Sequence, residues 1–425
     1  MLAVGLMSGT SMDGIDAALL ETDGETAIRA LGHVFIPYEP SFKTLLHAAQ
    51  YAVRKTQGDT VKANHYLQSE GLTDYLLTEL NIAMHSLDAT HHVLLTYASS
   101  ALQRTENLSL SAIIAESTYL HGLAVKALLK KTGHQAHEID LVGYHGQTLY
   151  HHPATGTSVI IGEGQDLANN LGISVVYDFR ANDIAAGGQG APFAPLYHHA
   201  LAMRDKHIPL GIINCGGIAN ITLIPSTDPG NILGFDTGPG NGLIDRLVSQ
   251  RTSGKERMDF NGHYGAKGRI HHPVFADLYR EAIAKGFFDL PPPKALDIGD
   301  LRLLPSLETL SIEDACRTLE AFTADTLVKG IAEWSPTPKP MHYILAGGGW
   351  RNPVIQAEFS TRLKQVIGTQ ALATTADAFG WDSQAMEAQI FAHFAVRSVQ
   401  GKPLRLPQTT HVPYPMTGGK LVHPS

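Results

Sequence analysis

Apolar residues near the start of the chain come in strand-sized runs separated by polar, glycine-bearing loops. Leu2 to Met7 reads as one strand and Ile15 to Glu21 as a second, so the stretch Ser8-Gly9-Thr10-Ser11-Met12-Asp13-Gly14 forms the tip of a β-hairpin. From about Phe42 to Leu87 the pattern is mostly helical. Between Leu108 and Lys131, Leu110, Ile113, Ile114, Tyr119, Leu120, Leu123 and Leu128 recur at spacings near three and four, which predicts a helix capped by Gly133. Ile139 to Tyr144 reads as a strand ending in His145-Gly146-Gln147-Thr148. Ser158 to Ile161 is another strand, Gln165 to Leu171 a helix, and Ile173 to Tyr177 a strand running into "DFRANDIAAGGQGAP". Strands at Leu210 to Asn214 and Ile221 to Ile224 flank Gly216-Gly217-Ile218-Ala219-Asn220. Strands and helices alternate from there, so the class is α/β.

Two segments about half a chain apart share a plan: "LAVGLM-SGTSMDG-IDAALLE" and "LGIINC-GGIAN-ITLIP". Each is an apolar strand, a glycine-bearing turn and an apolar strand. The pattern fits a duplicated core with two facing glycine loops, and equally two unrelated hairpins.

Glycine lets backbone N–H groups crowd around an anion because no Cβ intervenes. Serine and threonine add hydroxyl donors, so the loop from Ser8 to Ser11 suits phosphoryl oxygens. No GxxxxGK[ST] occurs and no lysine is near in sequence, which excludes a Walker A loop. Asp13 and Asp16 would repel a bare phosphate, but suit one with Mg²⁺ between, directly or through water. The alternative is a tight turn made by Asp13-Gly14. "YILAGGGWRNPVIQAEF" adds a strand, three glycines, and Asn352-Pro353 opening a helix. "GFDTGPGNGLID" runs from a strand through Gly238 and Gly240 into a helix. Four glycine loops, each after an apolar strand, point to nucleotide phosphate binding.

Composition narrows the field. With 425 residues, two to three domains are expected, and 44% apolar residues suffice for a sizeable core. The apolar runs are strand-sized, so no membrane span or signal peptide is expected. Two cysteines speak for a reducing compartment, and a net charge of -8 speaks against nucleic acid as a main partner. The 22 histidines are dispersed and form no metal-binding spacing.

In "DFRANDIAAGGQGAP", Asp183 follows Asp178 and Arg180 and precedes small residues that leave room for a substrate. A carboxylate beside an arginine can stay ionised and act as a general base. A capped helix start or a surface Asp–Arg pair would look the same.

Taken together and in order, "GLMSGTSMDGID", "HGQT", "DFRANDIAAGGQGAP", "NCGGIANIT", "FDTGPGN", "AGGGWRNP" and the late "EAQIFAHFAVR" resemble the anhydro-N-acetylmuramic acid kinase family. The resemblance implies a duplicated ribonuclease H-like fold, as in sugar kinases and actin, with ATP in an interdomain cleft. It implies a first lobe of residues 1–125 plus 381–425 and a second of 126–380. Gly9, Thr10, Ser11, Met12, Asp13, Gly14, Ile15 and Asp16 would form the first phosphate loop. The second would run from Gly216 and Gly217 through Asn220 to Thr222. Gly347, Gly348, Gly349 and Asn352 would lie on the adenosine side. Asp183 would be catalytic, and His145, Gln147, Thr148 and Glu387 would lie near the sugar. The wider superfamily often has an acidic residue where this chain has Met7, so the Mg²⁺ ligands are not carried over. The implied reaction is ATP-dependent opening and phosphorylation of 1,6-anhydro-N-acetylmuramic acid in cell-wall recycling, by a cytoplasmic homodimer. Two rivals are a sugar kinase acting on a free hydroxyl and an actin- or Hsp70-like ATPase acting on protein partners.

Overall fold

The computed structural model describes residues 1–9, 12–78, 109–152, 155–284, 286–296 and 302–425. Thr10, Ser11 and the expected helical stretch beyond residue 78 lie outside the described residues. The chain divides into two compact units, Met1–Phe193 with Ala385–Ser425, and Ala194–Gln384.

In the first unit, β1 (Leu2–Ser8), β2 (Gly14–Thr22) and β3 (Ile28–Pro37) form an antiparallel meander. The chain then crosses over to β4 (Leu141–His152), which pairs parallel with β1, and β6 (Val175–Tyr177) pairs parallel with β4. β5 (Thr157–Ile161) folds back on β4, and a last strand, Lys420–Val422, closes the far edge on β6. The hydrophobic pattern did not announce β3. It is an edge strand with most positions partly exposed, so its sequence lacks a clean alternation. β4 also continues through the HGQT stretch instead of ending before it, because Gln147 and Thr148 pair with Ile161 and Ile160.

The second unit repeats this order. β7 (Leu210–Cys215), β8 (Ile218–Ile224) and β9 (Leu233–Pro239) are an antiparallel meander. β10 (His342–Ala346) pairs parallel with β7, and β11 (Leu372–Thr375) with β10. The sheet orders β3-β2-β1-β4-β6 and β9-β8-β7-β10-β11 are therefore equivalent. The two hairpins occupy the same place in two copies of one topology, a duplicated ribonuclease H-like core.

The unit boundary falls at Phe193/Ala194, not at 125/126, and the return at Gln384/Ala385, not at 380/381. The reason is hydrogen bonding: β4 and β6 extend the sheet that β1 begins, so everything up to the end of the Asp183 loop folds with it. Asp183 thus belongs to the first unit.

Helix Met386–Val399 lies on β1, β2 and β4. It approaches so closely that a Cβ at Gly5 would stand 1.8 Å from the Ala388 carbonyl oxygen, and one at Gly143 2.0 Å from that of Phe391. Helices Pro40–Lys55 and Leu110–Thr132 also pack on this sheet. The Leu110–Thr132 helix begins on the Ser109 hydroxyl, which accepts the Ala112 N–H, and ends on Gly133 at φ 74°. By length and composition it would suffice to cross a membrane, contrary to the expectation from sequence. Here it is a core helix, with Ile113, Ala124, Val125 and Leu128 fully buried. Its apolar composition comes partly from its solvent-facing stripe, where Tyr119 is 50% and Leu123 38% exposed.

Candidate active site

The first glycine loop is tied down from the sheet behind it. The Gly9 carbonyl accepts the Met12 N–H at 3.1 Å and the Gln147 side-chain amide at 2.9 Å. Gln147 is completely buried, with its Oε1 accepting from the Tyr38 hydroxyl. Its side chain ties the loop to the sheet. Thr148 is likewise buried. Met12 takes a left-handed conformation, φ 52°, and it and Ile15 are core residues. Gly14 opens β2 opposite Pro37. Asp13 is exposed and receives the Lys43 ammonium at 3.0 Å. Sequence reading found no lysine here because Lys43 comes from the next helix. The Asp16 carboxylate sits opposite Met7 on the paired strand and takes the His33 Nε2 at 2.8 Å.

Asp183 lies on the short helix Ala181–Ala185 and is 1% exposed. Its Oδ1 accepts the Gly190 N–H at 2.5 Å, and its Oδ2 accepts the Thr410 hydroxyl at 2.6 Å. The Nε of Arg405, itself 2% exposed, stands 3.5 Å from the same Oδ2. Burial depresses the Arg405 guanidinium to about 9, and the Asp183 charge works against that loss. The Gly187–Gly190 stretch wraps the carboxylate so tightly that a Cβ at Gly188 would meet Oδ1 at 2.3 Å.

Around this carboxylate the first unit gathers the other expected residues. His145 is buried against the rings of Phe193 and Phe391. Burial, and then the Arg180 charge, hold its pKa well below the ordinary imidazole range. The ring is therefore neutral. Its Nε2 accepts an Arg180 N–H at 3.1 Å, so Nδ1 carries the proton and donates to the Gly146 carbonyl at 2.8 Å. Arg180, drawn down to about 10 by burial, is stabilised by Asp183 and Glu387. Glu387, in the first turn of helix Met386–Val399, keeps part of its surface in solvent. Desolvation there raises its pKa; the Asp16 charge adds to this and Arg180 opposes it. The result is a set of alternating charges, Asp183, Arg180, Glu387, with a neutral imidazole beside them. Arg405 and Thr410 were not legible as site residues. Thr410 is 227 residues from Asp183, in a polar segment without periodicity.

In the second unit three glycine stretches meet at one end of the sheet. Gly240 and Gly242 donate to the Gly217 carbonyl, and Asn241 donates to that of Gly216 at 2.8 Å. A Cβ at Gly240 would be 1.9 Å from the Gly216 oxygen, and one at Gly347 would be 2.6 Å from that of Cys215. Gly348 and Gly349 continue the same turn. Asn220 pairs in register with Asp236, whose carboxyl burial pushes up to about 7.

Asn352 caps helix Pro353–Val366, accepting from the Val354 and Ile355 N–H groups. Its Nδ2 donates to the buried Glu320 at 2.6 Å. The side chain expected on the adenosine side thus ties the helix start to Glu320, while its backbone N–H donates to the Gly349 carbonyl at 3.1 Å. Burial pushes the Glu320 carboxyl up to about 8, with nearby Asp259 adding to the rise. Folded Glu320 is protonated where the unfolded residue is ionised, so its contribution to stability is lost as pH rises from about 4.5 through 8. Glu320→Gln keeps the acceptor without the titration. Its melting temperature relative to the parent is expected to climb from pH 5 to 8, by up to ~1.4 kcal/mol of stability per pH unit. An offset independent of pH would show that Glu320 does not titrate in that window.

Comparison with known proteins adds the family. A ROK family glucokinase from Streptomyces griseus in complex with glucose and AMPPNP aligns with 94% of this chain and 100% of that one, at 13% identity and a TM-score of 0.36. Among sequences, a Methylobacterium nodulans protein named anhydro-N-acetylmuramic acid kinase is 39% identical over 429 residues, covering 100% of both chains. One of the same name from Azorhizobium caulinodans is 36% identical over 430 residues, again covering 100% of both. The family model described as anhydro-N-acetylmuramic acid kinase matches residues 1–91 and 94–423. With its duplicated core and glycine loops in both units, this chain belongs to the anhydro-N-acetylmuramic acid kinase family and is a kinase of that family.

Proposed function

We propose that the protein opens the 1,6-anhydro bond of 1,6-anhydro-N-acetylmuramic acid and phosphorylates the freed O6 with ATP, and that Asp183 is the general base. Asp183 takes a proton from water as the water oxygen attacks C1. The C1–O6 bond breaks, and O6, now carrying the electron pair, attacks the γ-phosphorus. The bond to the β-phosphate breaks and ADP leaves, with N-acetylmuramic acid 6-phosphate as the other product. The sugar half resembles inverting glycoside hydrolysis, with the phosphoryl group capping the leaving oxygen in place of a second carboxylic acid. The phosphoryl half needs positioning and charge neutralisation, which suits backbone amides of Gly9–Asp16 and Gly216–Thr222.

The observation that carries this reading is a buried carboxylate held by an N–H and an O–H donor and faced by the Arg405 guanidinium, with Arg180, His145 and Glu387 around it. Among the described residues no three metal-ligating side chains cluster. The carboxylates that would meet a Mg²⁺ on the triphosphate are Asp13 and Asp16, which here take the Lys43 ammonium and the His33 ring. Bound there, it would neutralise phosphoryl charge. The same reading makes the enzyme a cytoplasmic homodimer.

Turnover in ¹⁸O-water tests the chemistry. Label is expected at C1 of the product sugar and not in its phosphate. A product with no label at C1, or ADP release with N-acetylmuramic acid but not with the anhydro-sugar, would instead favour a kinase acting on a free hydroxyl.

A further inference from the structure

We infer that Thr410, backed by Arg405, is a positioning residue that fixes which oxygen of Asp183 receives the proton. This rests on Asp183 being the base. The two carboxylate oxygens are not equivalent. Oδ2 accepts the Thr410 hydroxyl at 2.6 Å and faces the Arg405 Nε at 3.5 Å. Among the described residues Oδ1 accepts one donor, the Gly190 N–H at 2.5 Å, and so has the freer lone pair of the two oxygens, although the whole side chain is buried as it stands. Thr410 also holds the covering loop, because its carbonyl accepts the Gln189 N–H at 2.8 Å. One residue therefore fixes both the carboxylate and the backbone donor to its other oxygen.

Arg405 cannot swing away to relieve the charge. Its Nη1 and Nη2 donate to the Leu404 and Phe179 carbonyls, and its guanidinium lies 3.9 Å from the Phe193 ring centre. A buried cation fixed in this way favours an ionised partner. The segment that follows helix Met386–Val399 thus belongs to the catalytic apparatus by its contacts, although it is far from Asp183 in sequence.

Thr410→Val removes the O–H and keeps the shape; Thr410→Ser keeps the O–H. Thr410→Val is expected to lower kcat by about 10–100-fold and leave KM for ATP unchanged. The charged and titratable groups facing Asp183 are Arg405 and Arg180, with His145 and Glu387 beyond Arg180. With these untouched and the O–H donor gone, the acid limb of the kcat/KM profile moves up by roughly one pH unit. Thr410→Ser restores both. Should Thr410→Val melt too low to assay, Arg405→Lys, which keeps the charge and withdraws it from Oδ2, is expected to move the limb in the same direction. An acid limb at its parental position in the folded variant, or a Thr410→Ser enzyme as slow as Thr410→Val, would overturn the assignment. Asp183→Asn separates the two levels: if it keeps turnover, the base itself is wrong, and if it is inactive while the limb stays fixed, only the positioning role falls.

Discussion

Asp183→Asn is expected to lower kcat by about 10³- to 10⁴-fold, while ATP binding stays measurable by calorimetry. Asparagine keeps the size and one acceptor oxygen, so the Gly190 contact can survive. It cannot take a proton from water at neutral pH. The substitution also leaves Arg405 as a buried cation without its anion. Breaking one side of such a pair costs about 3–5 kcal/mol, and in a unit of this size each kcal/mol lowers Tm by roughly 2–4 °C. Activity must therefore be read well below the lowered Tm. A folded variant with undiminished turnover would remove Asp183 from the mechanism.

The second large effect is expected in the other unit. Gly240→Ala should raise KM for ATP by at least about tenfold and leave binding of the anhydro-sugar unchanged. The added Cβ would lie 1.9 Å from the Gly216 oxygen, which is backbone and cannot swing aside. Contact needs roughly 3 Å, so the two turns must part by about 1 Å. A misplacement of that size in a positioning element can cost ~10²-fold. Parting them also strains the bonds from Gly240, Asn241 and Gly242 to the Gly216 and Gly217 carbonyls. Calorimetry with a non-hydrolysable ATP analogue reads the effect directly. Unaltered nucleotide affinity would show that these turns do not form the phosphate cradle.

Legibility followed the range of the interactions. The Asn352 N-cap and the Gly133 cap are made by residues a few positions apart, and the sequence marks them clearly. The hairpins β1–β2 and β7–β8 are local too, and their shared plan hinted at the duplication. What decided between duplication and coincidence was the parallel pairing of β4 with β1 and of β10 with β7, over more than a hundred residues in each case. The bonds that Gln147 and Asn352 make within the protein were not legible for a related reason. Both are polar residues beside glycine loops, a pattern shared by a ligand contact and by a side chain that anchors the loop from within. Gln147 bonds the Gly9 carbonyl, and Asn352 bonds Glu320 of another helix.

By itself, the sequence determined the α/β class, the four glycine turns, the candidate base and, through motifs in order, the family, since these depend on residue type and short spacing. Only the tertiary structure decided where the units divide, that Lys43 meets Asp13, and that Arg405 and Thr410 hold Asp183. Those depend on which distant segments share a sheet or a buried charge. Hydrogen bonds and ion pairs of that kind leave no periodic trace along the chain.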